Sequence, residues 1–163
     1  MPVEGRLLST WASLHREHGE IFVKINLLEK ALVAMLQKNV AAPKENALVQ
    51  QRDFLEAFKQ GVVLHFAVEK EALFPEIAKI GKKEKTLMDE LLFEHGSIME
   101  KYLTIIQSPY GDEEKTETLL KMAQELEMHA QKEERDAYPL VKKLSPAQLE
   151  MVDQGAKRLG YRI

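Results

Sequence analysis

Apolar residues recur along this chain at alternating steps of three and four, the spacing of helices that turn one face toward a core. Four such runs occur, and each predicts a long amphipathic helix. The first run is Leu7, Trp11, Leu14, His18, Ile21, Ile25, Leu28, Leu32 and Met35. The second is Leu48, Gln51, Leu55, Phe58, Val62, His65, Val68 with Glu69, and Ala72. The third is Met88, Leu91, His95, Ile98, Tyr102 and Ile105, and the fourth is Leu119, Met122, Leu126, His129, Glu133, Asp136 and Leu140.

Three short segments interrupt the runs. Residues 39–43 read Asn-Val-Ala-Ala-Pro, Gly81 follows the second run, and residues 108–112 read Ser-Pro-Tyr-Gly-Asp. Glycine, proline and asparagine at these places are typical of turns. Short connections between long helices make neighbouring helices antiparallel. The sequence therefore predicts an all-α, up-down-up-down four-helix bundle.

A short fifth helix is predicted to follow the bundle. Ser145 is a favourable N-cap, Pro146 suits the first helical position, and Gln148 stands where a capping box places its second member. We expect this helix to pack across the bundle. With 163 residues, the chain is predicted to form a single domain over residues 1–163.

Composition narrows the possible partners and chemistry. The net charge is −3 and the pI is near 6.0, so there is no basic field to attract nucleic acid or anionic lipid. The chain has no cysteine, which excludes disulfides, iron–sulfur clusters and a thiolate nucleophile. No segment approaches the roughly 20 apolar residues needed to span a bilayer, and no signal peptide is recognisable. We expect a cytoplasmic protein that binds neither nucleic acid nor membranes.

Six polar residues occupy stripe positions that should be apolar. Buried carboxylates without partners cost several kcal/mol, and no lysine or arginine stands nearby in the stripes to neutralise them. A bound cation would do so. Counting residues from the turns places all six at one height in the bundle, within roughly one helical turn. The six predicted metal ligands are His18, His65, Glu69, His95, His129 and Glu133.

These residues belong to an internal repeat. Glu-His-Gly-x-Ile occurs at residues 17–21 and again at 94–98, and His-x3-Glu-x4-Phe/Tyr-Pro occurs at 65–75 and again at 129–139. One core histidine alone is usually a packing residue, but two copies in register are harder to explain by packing. Four nitrogens are too many for magnesium or calcium, and a structural zinc site usually has thiolates. Two carboxylates shared by four histidines suit a bridged pair of ions, although spacing alone does not exclude zinc or manganese.

The two motifs, in order and in duplicate, resemble those of the hemerythrin-like family, the HHE cation-binding domain. The resemblance spans about residues 10 to 144. It implies a non-haem centre of two iron ions with carboxylate bridges. By motif position, His18 and His65 would hold one iron and His95 and His129 the other. Glu69 and Glu133 would bridge them.

The sequence departs from the oxygen-carrying hemerythrins in two places. Met99 stands where they have a second histidine on the third helix, and the last pair is His-x3-Glu rather than His-x4-Asp. A missing histidine leaves an open position on one iron, which favours chemistry over reversible oxygen carriage. We therefore expect a protein that binds, senses or reacts with a small diatomic or peroxide ligand, with peroxide decomposition or oxygen reduction as possible enzymatic forms.

Two other functions stay open at this point. One is a non-catalytic iron store, donor or iron-sensing module whose folding depends on metal. The other is a metal-free bundle that binds a partner, which leaves Glu69 and Glu133 unexplained and is ranked last. The oligomeric state and the physiological ligand are not written in the sequence.

Three further residues have uncertain roles. His15 lies near His18 but out of phase with the core, so we expect a surface residue or a hydrogen-bond partner of a ligand rather than a ligand. Asp136 lies one turn beyond Glu133, where it could orient a histidine or reach solvent. Tyr138 could offer its hydroxyl to a bound oxygen species, but packing is the expected role.

Four more residues flank the predicted ligands. Glu17 and Glu94 each precede a ligand histidine, and we expect them to be solvated. Pro75 and Pro139 fall within predicted helices, and we expect each to kink its helix just past the site.

Overall fold

Helices make up all the regular structure that the computed structural model describes, which covers residues 10–36, 43–108 and 113–162. Within these ranges there are five helices and no strand, so the predicted all-α class is confirmed. The helices are α1 (Thr10–Leu36), α2 (residues 43–78), α3 (Lys82–Ile106), α4 (residues 113–143) and α5 (Pro146–Arg158). The connection at Gly81 lies where the sequence predicted it. The other two predicted connections fall largely at residues 37–42 and 109–112, outside the described residues.

The direction of the helices follows from which of their ends pack together. One apolar cluster joins the end of α1, the start of α2, the end of α3 and the start of α4; it includes Leu28, Phe58, Ile105 and Met122. A second cluster joins the opposite ends of the same helices; it includes Leu14, Ile77, Met88 and Val141. Neighbouring helices therefore run antiparallel, as predicted for an up-down-up-down bundle.

The backbone widens into π-helical turns inside α2 and α4. The three turns are Phe58–Val62, Glu69–Leu73 and Glu133–Ala137. The last two lie directly before the Phe-Pro and Tyr-Pro pairs of the repeat. A proline ring clashes with the carbonyl four residues earlier, and one extra residue in the turn relieves that clash. The disturbance caused by Pro75 and Pro139 thus includes the turns that begin at Glu69 and Glu133, and not only the residues past the site.

The fifth helix closes one end of the bundle. The predicted capping box is present, with the backbone N–H of Gln148 donating to Ser145 and the Ser145 N–H donating to Gln148. Helix α5 packs against α1 and the last turns of α2, and Gly155 allows a close approach because a Cβ there would lie 2.9 Å from the Cβ of Ala72. Thr10 also donates a hydrogen bond to Asp153. In the described ranges, no helix combines the length and apolar character needed to cross a membrane.

Candidate metal centre

Each helix of the bundle supplies one histidine to a layer between the two apolar clusters. The four are His18 on α1, His65 on α2, His95 on α3 and His129 on α4. Every one is at most 6% exposed. The two glutamates of the repeat, Glu69 and Glu133, enter the same layer from the π turns of α2 and α4, and neither is exposed at all. All six predicted ligand side chains therefore meet in one buried layer.

The six side chains form two overlapping groups of four. Within each group the potential ligand atoms all lie within 4.8 Å of one another. The groups share both glutamates and differ only in their histidines, so each glutamate faces two histidine pairs. The groups are His18, His65, Glu69 and Glu133, and Glu69, His95, His129 and Glu133.

Each glutamate reaches histidines of both groups through a single oxygen. The Nε2–Oε1 distances are 3.3 Å for His65 and 3.3 Å for His95 to Glu69, and 3.3 Å for His18 and 3.0 Å for His129 to Glu133. Two donors that lie about 2.1 Å from one ion are separated by about 3.0 Å at a right angle and about 3.4 Å at a tetrahedral angle. These separations are therefore those of neighbouring ligands around a metal ion.

Several of these atoms have no hydrogen-bond partner among the described residues. They are Glu69 Oε1, His95 Nε2, His129 Nε2, Glu133 Oε1 and Glu133 Oε2. A buried polar atom left unpaired costs about 1–3 kcal/mol, and more when the group is charged. All five atoms lie in the layer between the clusters, where cations would satisfy them together. The donor set therefore fits a metal centre.

The pKa values of Glu69 and Glu133 are shifted in opposite directions by the groups around them. Burial alone would raise the pKa of Glu69, but the charge of His65 and hydrogen bonds hold it well below its usual value. Burial and the negative charge of Glu69 raise the pKa of Glu133 well above its usual value. Burial would also lower the pKa of His65, yet Glu69 and Glu17 raise it to about 9. Both carboxylates ionise together only if additional positive charge enters the layer.

The comparison with protein families agrees with this geometry. The family model of the hemerythrin HHE cation binding domain matches residues 9–141. The chain belongs to this family. The match includes all six predicted ligands and ends inside α4, so α5 lies beyond it. Comparisons with curated proteins and with solved structures give no match.

In this hemerythrin HHE domain, three of the four histidines form a hydrogen bond through Nδ1 to a carboxylate on the side of the ring away from the centre. The Nδ1 atom of His18 donates to Glu134 at 2.8 Å, that of His65 to Glu17 at 3.3 Å and that of His129 to Glu94 at 2.8 Å. In the neutral imidazole, such a bond places the ring proton on Nδ1 and leaves Nε2 free to bind a metal. The tautomer and the ring direction are thus both set for ligation.

Two of these carboxylates correct an expectation from the sequence. Glu17 and Glu94 were expected to be solvated, but their side chains are only 25% and 31% exposed, and each bonds to a predicted ligand histidine of the neighbouring helix. Glu17 also accepts a hydrogen bond from Tyr161. A signal was available, because both acids occupy the same position of the Glu-His repeat. Glu134 has no counterpart in the other half and was missed.

The contacts of His15, Asp136 and Tyr138 give each of these residues a different role. His15 lies outside the ligand groups; its side chain is 57% exposed, its ring stacks on Trp11, and its Nδ1 lies 2.8 Å from Glu134. The preference for a surface or supporting position over a ligand therefore agrees with the geometry. Asp136 accepts hydrogen bonds from the Arg135 guanidinium at 2.9 and 3.0 Å. That ion pair faces solvent, and within the described part of the chain Asp136 makes no hydrogen bond to a predicted ligand histidine.

Tyr138 is more than the packing residue that the sequence suggested. Its ring is buried against the imidazole of His18, with ring centres 4.9 Å apart and nearly parallel planes. Its hydroxyl donates to Glu69 Oε2 at 3.0 Å and lies 3.3 Å from the Nε2 atoms of both His18 and His65. A buried phenol hydroxyl thus lies beside the His18 and His65 pair.

A small cavity leads from the surface to the centre between α1, α2 and α4. Its volume is about 90 Å³, which suits ligands of a few atoms. Its inner wall includes His18, His65, His129 and Glu133. Its outer wall includes the exposed residues Glu20, Lys24 and Gly61. The cavity therefore brings open space against four of the six predicted ligand residues.

Proposed function

We propose that this hemerythrin HHE domain holds two iron ions bridged by Glu69 and Glu133 and uses them to bind, sense or react with a small oxidant. His18 and His65 would hold one ion, and His95 and His129 the other. The observation that carries the proposal is that two histidine pairs share the same two buried carboxylates. The oxidants that fit are oxygen, peroxide and nitric oxide.

The donor set supports iron over the hard cations. Four imidazoles with two carboxylates contain too much nitrogen for magnesium or calcium, which prefer oxygen ligands. Neutral imidazole suits iron, zinc and copper, and carboxylate bridges favour an ion that tolerates mixed nitrogen and oxygen ligands. Redox activity separates iron from zinc in the experiment below.

The protein's own groups would give such a centre its properties. Two irons held there would supply a change of oxidation state and positions that small molecules could occupy. Glu17, Glu94 and Glu134 fix the direction of three imidazoles through their Nδ1 atoms. On the His95 side, the rings of Phe66 and Phe74 stack on the imidazole at 3.9 and 5.6 Å and keep bulk water away.

The cavity sets the size of what can react. With about 90 Å³ between helices, it admits a diatomic molecule or a peroxide. Such a molecule would lie against His18, His65 and Glu133, which line the cavity. A much larger organic substrate exceeds this volume, which is why we propose a small oxidant.

The test begins with metal content. Protein expressed in iron-supplemented cells is expected to contain close to two irons per chain by elemental analysis. The reduced, loaded protein is then titrated with oxygen, peroxide and nitric oxide while its absorption spectrum is recorded. A spectral change with at least one oxidant supports the proposal. Two irons without any response would contradict the oxidant role, and absence of metal binding would contradict the centre itself.

A second candidate is a non-catalytic iron-binding or iron-sensing module. It is favoured by the unpaired oxygens of Glu133, because a core that needs a cation couples metal binding to folding. Thermal unfolding of metal-free and loaded protein separates the two candidates. Strong stabilisation by iron together with no response to oxidants would favour the module over the oxidant-reactive protein.

A further inference from the structure

The two halves of the site are related by the repeat, but they are not equal. The turn that follows the ligand glutamate reads Glu69-Lys70 in the first half and Glu133-Glu134 in the second. The residue before the proline is Phe74 in the first half and Tyr138 in the second. The two histidine pairs therefore have different neighbours at matching positions of the repeat.

Both differences add polar contacts to the same histidine pair, His18 and His65. Glu134 accepts from the Nδ1 of His18, and the hydroxyl of Tyr138 touches His18 and His65. The matching Phe74 offers only its ring, which stacks on His95. One histidine pair thus faces a phenol oxygen, while the other faces hydrocarbon.

The distances around Tyr138 are those of a shared coordination sphere. Its oxygen lies 3.0 Å from Glu69 Oε2 and 3.3 Å from the Nε2 atoms of His18 and His65. Ligands about 2.1 Å from one ion are about 3.0 to 3.4 Å apart when they are neighbours. The phenol oxygen therefore lies at ligand separation from three donors of one ion, and the direction of its ring is fixed by packing in the second apolar cluster.

We propose that Tyr138 is a seventh protein ligand, bound as phenolate only to the ion held by His18 and His65. This inference rests on the proposed metal centre and adds a ligand to it. On binding, the oxygen–metal bond replaces the O–H bond, and the proton leaves to solvent. The two ions would then differ in their protein donors, because the His18 and His65 position has an added oxygen and the His95 and His129 position does not.

The test uses the full chain loaded with ferric iron. A phenolate bound to ferric iron gives a visible charge-transfer band, and Raman scattering excited within that band enhances the ring vibrations of the bound tyrosine. We expect both signals in the unaltered protein. Tyr138→Phe keeps the ring and should lose both signals while the fold is retained. The matched control is Tyr102→Phe in the other apolar cluster, which should keep both signals.

The outcomes distinguish failure of the Tyr138 ligand role from failure of the proposed metal centre. Two irons per chain without tyrosinate vibrations would overturn the ligand role of Tyr138 and leave the metal centre standing. Failure to bind iron would overturn both. If Tyr138→Phe does not fold, the vibrations of the unaltered protein still decide, because Tyr102→Phe and Tyr161→Phe variants show whether either of the two other buried tyrosines among the described residues contributes to them.

Discussion

Glu133 offers the sharpest test of whether this core is built around a cation. Its side chain is not exposed, neither of its oxygens has a hydrogen-bond partner, and its pKa is raised well above the usual value by burial and by Glu69. A buried acid in this position weakens the metal-free fold. It is retained, on our proposal, because it bridges two ions.

The substitution Glu133→Leu should therefore act in opposite directions on folding and on metal binding. Removing an unpaired buried polar group recovers about 1–3 kcal/mol, and an apolar side chain of similar volume loses less than about 1.5 kcal/mol through imperfect packing. We expect the metal-free variant to be about 1–2 kcal/mol more stable near pH 7. For a chain of this length, that raises the melting temperature by roughly 2–8 °C. Metal binding should be lost.

The assay compares chelator-treated proteins by thermal and denaturant unfolding, followed by elemental analysis after iron reconstitution. Glu117→Leu, on an exposed position of α4, is the matched control and should change stability by less than about 0.5 kcal/mol without affecting metal content. If the metal-free Glu133→Leu protein were less stable than the parent by 2 kcal/mol or more, or if it still bound two ions, the reasoning about this carboxylate would be refuted.

Four further predictions concern the ligands, their supports and access to them. His65→Ala should lose most of the bound metal by elemental analysis, whereas His15→Ala should keep it; full loss in the His15 variant would mean that this residue is a ligand. Because the pKa of His65 is about 9, its proton must leave before Nε2 binds a cation. Apparent metal affinity, measured by chelator competition, should therefore rise roughly tenfold per pH unit from about pH 6 toward that value, and a flat profile would contradict this linkage. Glu17→Gln should preserve the fold and weaken metal affinity about 10–100-fold, since it removes the charge behind one imidazole; unchanged affinity would show that the contact is dispensable. Gly61→Phe should slow the reaction of the loaded protein with peroxide at unchanged metal content, with Gly61→Ala as the control, and equal rates in stopped-flow measurements would place the access path elsewhere.

The sequence predicted the members of the site because they follow rules that act within one helix. His65 and Glu69 share a face because they are four residues apart, and the same rule pairs His129 with Glu133. The repeat then placed both pairs at similar heights, since equal distances from the turns give equal rises along antiparallel helices. The all-α class and the helix capped by Ser145 were accessible for the same reason.

Interactions between helices were harder to predict. Whether Glu17 reaches solvent or His65 depends on how far α1 is rotated about its axis relative to α2, and periodicity defines that rotation only to within part of a turn. The same limit applied to Glu94 and to Glu134. The repeat indicated that the first two positions matter, but not that each acid bonds to the histidine of the next helix.

The sequence by itself determined four antiparallel helices, the six polar residues in their core and the family to which the repeat points. Only the tertiary structure decided which carboxylate bonds to the Nδ1 atom of which histidine. It also decided that Glu69 and Glu133 project from π-helical turns, and that the hydroxyl of Tyr138 contacts the His18 and His65 pair. The physical reason is that periodicity and spacing are properties of a single helix. The direction of a side chain toward another helix also depends on rotation, axial offset and local widening of the backbone, which packing sets for all the helices together.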